Sequence, residues 1–284
     1  MINVQSPNRT VLSITAVLGL LLTGCTSSKA VLHEDERAFT EFALSALSVA
    51  HPDYSFGPAP ETEKTADGLS VTVTAQPIGA FMVEVSEKIP VSVTFDRDSA
   101  VTRVSPLPET RLGKVLKSLG VSKGGAEGMR ESRELLSEVG RSVEVVAVAE
   151  LTEPMTEVAL LSKDSGLSKP QRVLLSAGGG QLPFGNSLYC AQKCEEQSYE
   201  AAFQEWVATL RPQDRSTLKA FGLDLEPLRT ASQQGKIYGL IYENYDALTL
   251  LGISKSPKVK ALYVADVNLK CASDATALCR PVDS

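Results

Sequence analysis

The sequence predicts an α+β fold with two groups of strands and helices that cover them. Three observations indicate this class. Apolar residues recur at helical spacing between Glu34 and Ala50, apolar and polar residues alternate between Leu69 and Phe95, and two strand–helix–strand patterns lie in the C-terminal half. Hydrophobic residues make up 43% of the chain and charged residues 22%, as in a folded globular protein.

The first unit is predicted over residues 33–107 as a helix followed by an antiparallel β-meander. The acids at positions 34 to 36 lie in the first helical turn, where their negative charges stabilise the helix by interacting with the positive end of its dipole. A loop rich in Pro and Gly is expected from Gly57 to Gly68. Strands are then expected at Leu69–Gln76, Phe81–Ser86, Ile89–Phe95 and Ala100–Val104. Residues 108–140 are expected to form a helical linker in two pieces, broken near Gly120 to Gly125, with a lid as the alternative role.

The second unit, residues 141–284, contains two βαβ patterns. Strands are expected at Ser142–Leu151, Arg172–Ser176, Lys236–Glu243 and Val259–Val267, with helices at Thr156–Lys163 and Tyr245–Ile253. Two such halves in tandem are what a ferredoxin-like sandwich requires, namely one four-stranded sheet with both helices on one face.

A helical insert, residues 177–235, separates the two βαβ halves. Its main apolar stripe contains the only tryptophan of the chain and is predicted to be core. The stripe consists of Tyr199, Ala202, Phe203, Trp206, Val207 and Leu210.

The N-terminus contains an apolar run, Val11–Leu22, followed by Leu22-Thr23-Gly24-Cys25. At about a dozen residues this run is shorter than the roughly 20 that a membrane-spanning helix needs, and it has the length of a signal-peptide core. The four residues at its end resemble the lipobox of bacterial lipoproteins. This resemblance implies that residues 1–24 are a signal peptide cleaved after Gly24. It also implies that the Cys25 thiol receives a diacylglycerol and that the new amine is acylated, with palmitate for example.

The resemblance also implies an exported, membrane-anchored protein of the cell envelope, with residues 25–32 as a tether. Two or three acyl chains anchor a protein stably. Thr26 follows the modified cysteine, which implies export to the outer membrane if the host is Gram-negative. In another host the protein would be on the outer face of the plasma membrane.

Four cysteines remain after Cys25, and their even number in an exported chain favours two disulfides. The favoured pairs are Cys190–Cys194 and Cys271–Cys279, although four cysteines allow three pairings. A zinc site is the rival interpretation, but the spacing of Cys271 and Cys279 fits it poorly.

No residue pattern predicts catalysis, a metal or another cofactor. His33 and His51 are expected to be solvated surface residues, and Asp96 and Asp98 to cap main-chain amides in a turn. The formal net charge is −6 and no cluster of five basic residues occurs, so nucleic acid is not an expected partner.

The sequence therefore predicts a non-catalytic binding or adaptor module that binds another envelope protein or a polymer. One alternative is a ligand-sensing or solute-binding lipoprotein with a cleft between the two units. The other is a hydrolase of cell wall or glycan that uses two facing carboxylates.

We expect Cys25→Ala to keep the protein out of the detergent phase in a phase-partition assay, because the thiol that would accept the lipid is lost. The control is Cys279→Ala, which leaves the lipobox intact and should partition like the unchanged chain. Equal partitioning of Cys25→Ala and the unchanged chain would contradict the anchor.

Overall fold

The computed structural model describes residues 35–79, 88–120, 125–139, 143–187 and 198–269. Within these ranges the helices are α1 (Glu36–Ala50), α2 (Arg111–Ser118), α3 (Gly125–Glu138), α4 (Glu157–Leu161), α5 (Tyr199–Thr209), α6 (Arg215–Ala220), α7 (Leu225–Gln234) and α8 (Ala247–Ile253). The strands are β1 (Tyr54–Phe56), β2 (Glu61–Lys64), β3 (Gly68–Pro77), β4 (Ile89–Asp96), β5 (Val101–Val104), β6 (Val143–Met155), β7 (Arg172–Leu174), β8 (Gly185–Ser187), β9 (Ile237–Asp246) and β10 (Val259–Leu269). They form two antiparallel sheets, so the predicted α+β class is confirmed.

The first sheet has the order β1-β3-β4-β5, and β2 also pairs with β3. β3, β4 and β5 form an antiparallel meander in which β4 pairs directly with β3, without the expected intervening strand, and their alternation buries one face of the sheet. Helix α1 covers this face, and Phe39 contacts Phe95 with ring centroids 6.3 Å apart. The strand expected at Phe81–Ser86 lies outside the described residues.

Strand β2 is a correction, because a loop was expected from Gly57 to Gly68. Its residues are polar and mostly exposed, so no apolar alternation marks it in the sequence. Main-chain pairing with β3, with Glu61 opposite Thr72, holds it at the edge of the sheet.

The second sheet has the order β10-β6-β9-β7-β8. Helix α2 packs on one face through Leu112 and Leu116, which contact Val146 and Val148 of β6. The other face belongs to a core that is continuous with the residues between α1 and the first sheet. Because both faces are covered, the residues from Val145 to Ala149 are all buried, which explains the run of valines in β6.

The insert contributes β8, which pairs with β7 at the edge of the second sheet and packs against α1. A Cβ atom at Gly185 would lie 2.3 Å from Cβ of Pro52, so only glycine allows this approach. Arg172 of β7 adds a second link between the two sheets. Its guanidinium donates to the carbonyl of Tyr54 (3.0 Å) and forms an ion pair with Glu243 (2.6 Å).

Thr110, the buried N-cap residue of α2, connects this helix to Asp53 in the turn after α1. Thr110 Oγ1 accepts from the Gly113 amide (2.7 Å) and donates to Oδ2 of Asp53 (2.6 Å). A Cβ atom at Gly113 would lie 2.7 Å from the same Asp53 oxygen. A side chain at position 113 therefore requires this cap to shift.

We expect Gly113→Ala to lower the free energy of unfolding by about 1–3 kcal/mol, because the new methyl group overpacks the buried cap. Gly252→Ala in α8 is the matched control, since no atom lies within 4 Å of its Cβ position. There alanine should leave stability unchanged or raise it by up to about 1 kcal/mol through helix propensity. Urea unfolding followed by circular dichroism measures both changes, and equal changes in the two variants would contradict the clash.

Candidate functional site

A cavity with a volume of about 480 Å³ lies between α1 and α5 and is lined by described residues. We call it the α1/α5 cleft. Its apolar lining consists mainly of Phe42, Val49, Phe56, Phe203 and Trp206. Its polar lining includes Glu41, Ser45, Ser48, Glu205 and Thr209. This combination of an apolar floor with a few polar groups is typical of a binding site.

Helix α1 reaches the cleft because it has two apolar faces. Phe39, Ala43 and Leu47 are fully buried in the main core. Phe42 and Val49, which lie two helical turns apart, belong to the second face and line the cleft. The side chain of Asp35 caps the first turn by accepting from the Arg37 amide (2.9 Å).

Helix α5 is fixed at its N-terminus by two residues. Ser198 caps it by accepting from the Ala201 amide (2.9 Å). Glu157 accepts from the amides of Tyr199 (3.0 Å) and Glu200 (2.9 Å), so a carboxylate lies at the positive end of the helix. The start of α5 is thereby attached to α4, the helix that follows β6 of the second sheet.

The apolar stripe of α5 is core only in part. Tyr199, Phe203, Val207 and Leu210 are buried, as predicted. Ala202 and Trp206 are half-buried and line the cleft, so the prediction of core is wrong for Ala202 and holds only in part for Trp206, which also packs against the main core. A helical period cannot separate the two cases, because a cleft wall and a core both require apolar residues on the same face.

Trp206 is the residue of the cleft with an unmet hydrogen bond. Its ring packs against Phe42 (centroids 6.5 Å apart) and Phe203 (6.2 Å). Its Nε1 atom is buried and has no hydrogen-bond acceptor among the residues that the structure describes. A buried donor without an acceptor costs about 1–3 kcal/mol.

The charges of the cleft are negative. Glu41 and Glu205 lie on opposite helices, and none of the described residues that line the cleft is a lysine or arginine. Glu41 accepts from Nε of Arg37 (2.8 Å), but this pair is exposed and therefore contributes little.

The described acids that could act in catalysis occupy exposed or capping positions. Glu41 and Glu205 are both exposed, whereas a general acid that works near neutral pH is normally held in apolar surroundings. Burial raises the pKa of Asp214, but its Oδ2 accepts from the Arg211 amide (2.7 Å), which is a capping role. Asp96 likewise accepts from the amides of Asp98 and Ser99 (both 3.0 Å), as expected. The described ranges contain no group of three residues that could hold a metal ion.

The residues predicted as sites all lie outside the described residues. They are Leu22, Thr23, Gly24, Cys25, Cys190, Cys194, Cys271 and Cys279, and His33 is outside as well. In the sequence, Cys190 and Cys194 lie between β8 and α5, both of which contribute residues to the cleft. Of the part of the chain that the structure describes, no helix is long and apolar enough to cross a membrane.

His51 is half-buried, so the expectation of a solvated residue is wrong. Burial lowers the pKa of its imidazole below the ordinary value of 6.5, and the nearby Asp53 opposes this effect. Below pH 6.5, and down to the lowered pKa, the unfolded chain therefore binds more protons at His51 than the folded protein. Burial of the neutral His51 imidazole therefore contributes fully to stability above pH 6.5. This contribution is lost as the pH falls from 6.5 through the lowered pKa.

We expect the free energy of unfolding to decrease as the pH falls below 6.5, and His51→Gln to reduce that slope. Urea unfolding at a series of pH values, applied to the unchanged chain and the variant, measures both slopes. An identical slope in the two proteins would contradict the role of His51.

Comparison with known proteins gives no relative for this chain. No protein-family model matches it, and no curated protein and no solved structure matches it. The function of the cleft is therefore inferred from the residues that form it.

Proposed function

We propose that this chain is a lipid-anchored protein of the bacterial cell envelope that acts as a non-catalytic binding module. The α1/α5 cleft is its binding site. The observation that carries the proposal is the open cleft itself, whose apolar floor of Phe42, Phe203 and Trp206 is bordered by the exposed carboxylates of Glu41 and Glu205. A concave apolar surface with a few polar groups at its edge is the usual form of a binding site.

The anchor follows from the lipobox-like residues Leu22 to Cys25. Acyl chains on Cys25 would hold the module at the membrane through the tether at residues 25–32. The compartment is the outer membrane in a Gram-negative host, as Thr26 implies, and otherwise the outer face of the plasma membrane. The partner is another envelope protein or a polymer.

We also infer a ferredoxin-like sandwich for residues 141–284, with a disulfide-containing insert at residues 177–235. The order β10-β6-β9-β7, with α4 after β6 and α8 after β9, supports the sandwich, because two βαβ halves interleave in one sheet in this way. The pairs Cys190–Cys194 and Cys271–Cys279 are supported by the oxidising conditions outside the cytoplasm.

A second candidate function is the binding of a small molecule by an anchored sensor or solute-binding protein. One observation favours it: the cleft volume of about 480 Å³ falls within the range that small ligands occupy. The cleft also lies between α1 of the first unit and α5 of the insert. A junction of this kind is a common place for a ligand site.

The two functions can be separated by photo-crosslinking in native envelopes. A photoreactive amino acid replaces Glu205 at the cleft, and in a control it replaces Glu131, an exposed residue of α3 that does not line the cleft. We expect one protein adduct of defined mass from position 205 and none from position 131, because only the first position contacts the bound partner.

An adduct of low mass at position 205 would instead support the small-molecule function. The same adducts from both positions, or none from either, would contradict binding at the cleft. Mass spectrometry of the purified chain distinguishes these outcomes.

A further inference from the structure

Helix α4 carries the most exposed large apolar side chain among the described residues. Val158 is 82% exposed, and Leu161, three residues further on, is 47% exposed. This spacing places both side chains on the same face of the helix. On the opposite face Leu160 is buried in the main core, and Glu157 accepts from the amides at the start of α5. The helix therefore cannot turn its apolar outer face inward.

Two lysines lie beside this apolar pair. Lys163 follows α4 in the chain and is exposed. Lys258 Nζ donates to the main-chain carbonyl of Asp164 (3.1 Å), which brings a second ammonium group to the same turn. This acceptor is neutral, so the ammonium group can still pair with an anion. Apolar side chains bordered by lysines are typical of a helix that lies at a membrane interface, where the lysines reach the lipid phosphates.

The charge of the α4 surface is too small to bind a membrane by itself, because two exposed acids, Glu153 and Asp164, are close to α4 in the sequence. A contact with a bilayer must therefore depend mainly on the apolar pair. Two apolar side chains would not recruit a free protein. In a chain that is already anchored through Cys25 the effective concentration of lipid is high, so a weak second contact is sufficient.

The tether is long enough to allow this contact. The start of α5, to which α4 is bonded, adjoins the end of α1, because Asn186 Nδ2 donates to the Tyr199 carbonyl (2.7 Å) and β8 packs against the turn after α1. The tether joins the opposite end of α1, and this helix of 15 residues is about 22 Å long. Residues 25–34 can span up to about 33 Å. The acyl chains on Cys25 and the α4 surface can therefore meet the same bilayer.

We propose that α4 is a second membrane contact of the anchored chain. Val158 and Leu161 enter the interface of the bilayer, and the ammonium groups of Lys163 and Lys258 pair with lipid phosphates. Helix α5 begins beside this surface, so the contact holds the α1/α5 cleft in one orientation above the membrane. This inference rests on the proposed lipid anchor and goes beyond the binding function of the cleft.

The test uses the full-length lipidated chain in vesicles of phosphatidylethanolamine and phosphatidylglycerol. An environment-sensitive fluorescent amino acid replaces Val158, and in a control it replaces Val101, which is 42% exposed on β5 of the first sheet. The vesicles contain a lipid with a quencher close to its headgroup. We expect quenching at position 158 to be about threefold stronger than at position 101, because only α4 enters the bilayer.

Two further variants test the named contacts, with the fluorophore kept at position 158. Leu161→Ser should reduce the quenching, because part of the apolar contact is lost. Lys163→Gln combined with Lys258→Gln should also reduce it, because the pairs with lipid phosphates are lost. Val101→Ser is the matched control and should leave the quenching unchanged. Circular dichroism confirms that each variant is folded.

Equal quenching at positions 158 and 101 in a chain that floats with the vesicles would overturn the inference and leave the anchor standing. Unchanged quenching in the Leu161→Ser variant would also overturn it. A blue shift at position 158 without lipid quenching would assign the α4 surface to a protein contact instead. A chain that does not float with the vesicles would reject the anchor and the inference together.

Discussion

The position of α1 between the two sheets depends on the close approach of Pro52 to Gly185. Strand β8 can reach the turn after α1 only because residue 185 has no side chain. Arg172 strengthens the same junction, since it bonds the Tyr54 carbonyl while its charge is balanced by Glu243. With α1 fixed on β8, its second face meets α5, and Phe42 contacts both Trp206 and Phe221. The wall that α1 gives to the cleft is thus held in place by packing of the Pro52 ring against the main chain of Gly185.

The elements that could be predicted from the sequence are those in which burial decides which residues are apolar. Apolar and polar residues alternate in β3 and β4 because one face of their sheet is covered. The apolar run in β6 is continuous because both faces of its sheet are covered. Strands β2 and β8 could not be predicted. Both are short edge strands that are held by main-chain hydrogen bonds. Such bonds do not require particular side chains, so no apolar pattern in the sequence indicates these strands. The site depends on contacts between Phe42 and Trp206, which are far apart in the sequence, and no local pattern encodes such a contact.

Trp206 illustrates how a binding surface can be mistaken for core. The helix that carries it has the amphipathic pattern of an ordinary core helix, and four of the six residues of its apolar stripe are buried. The other two, Ala202 and Trp206, are half-buried and line the cleft. Burial depends on neighbours that are distant in the sequence, so it separates the two roles where a helical period cannot.

The pairing of β6 also has a consequence for the order in which the chain folds. Val145 of β6 lies opposite Tyr245 of β9 and opposite Val267 of β10, so both neighbours of this strand come from much later in the sequence. The first sheet, by contrast, pairs segments that follow one another closely. Local contacts form faster than distant ones, and synthesis proceeds from the N-terminus. The valines of β6 therefore stay unpaired until residues 237–269, which form β9 and β10, have been made.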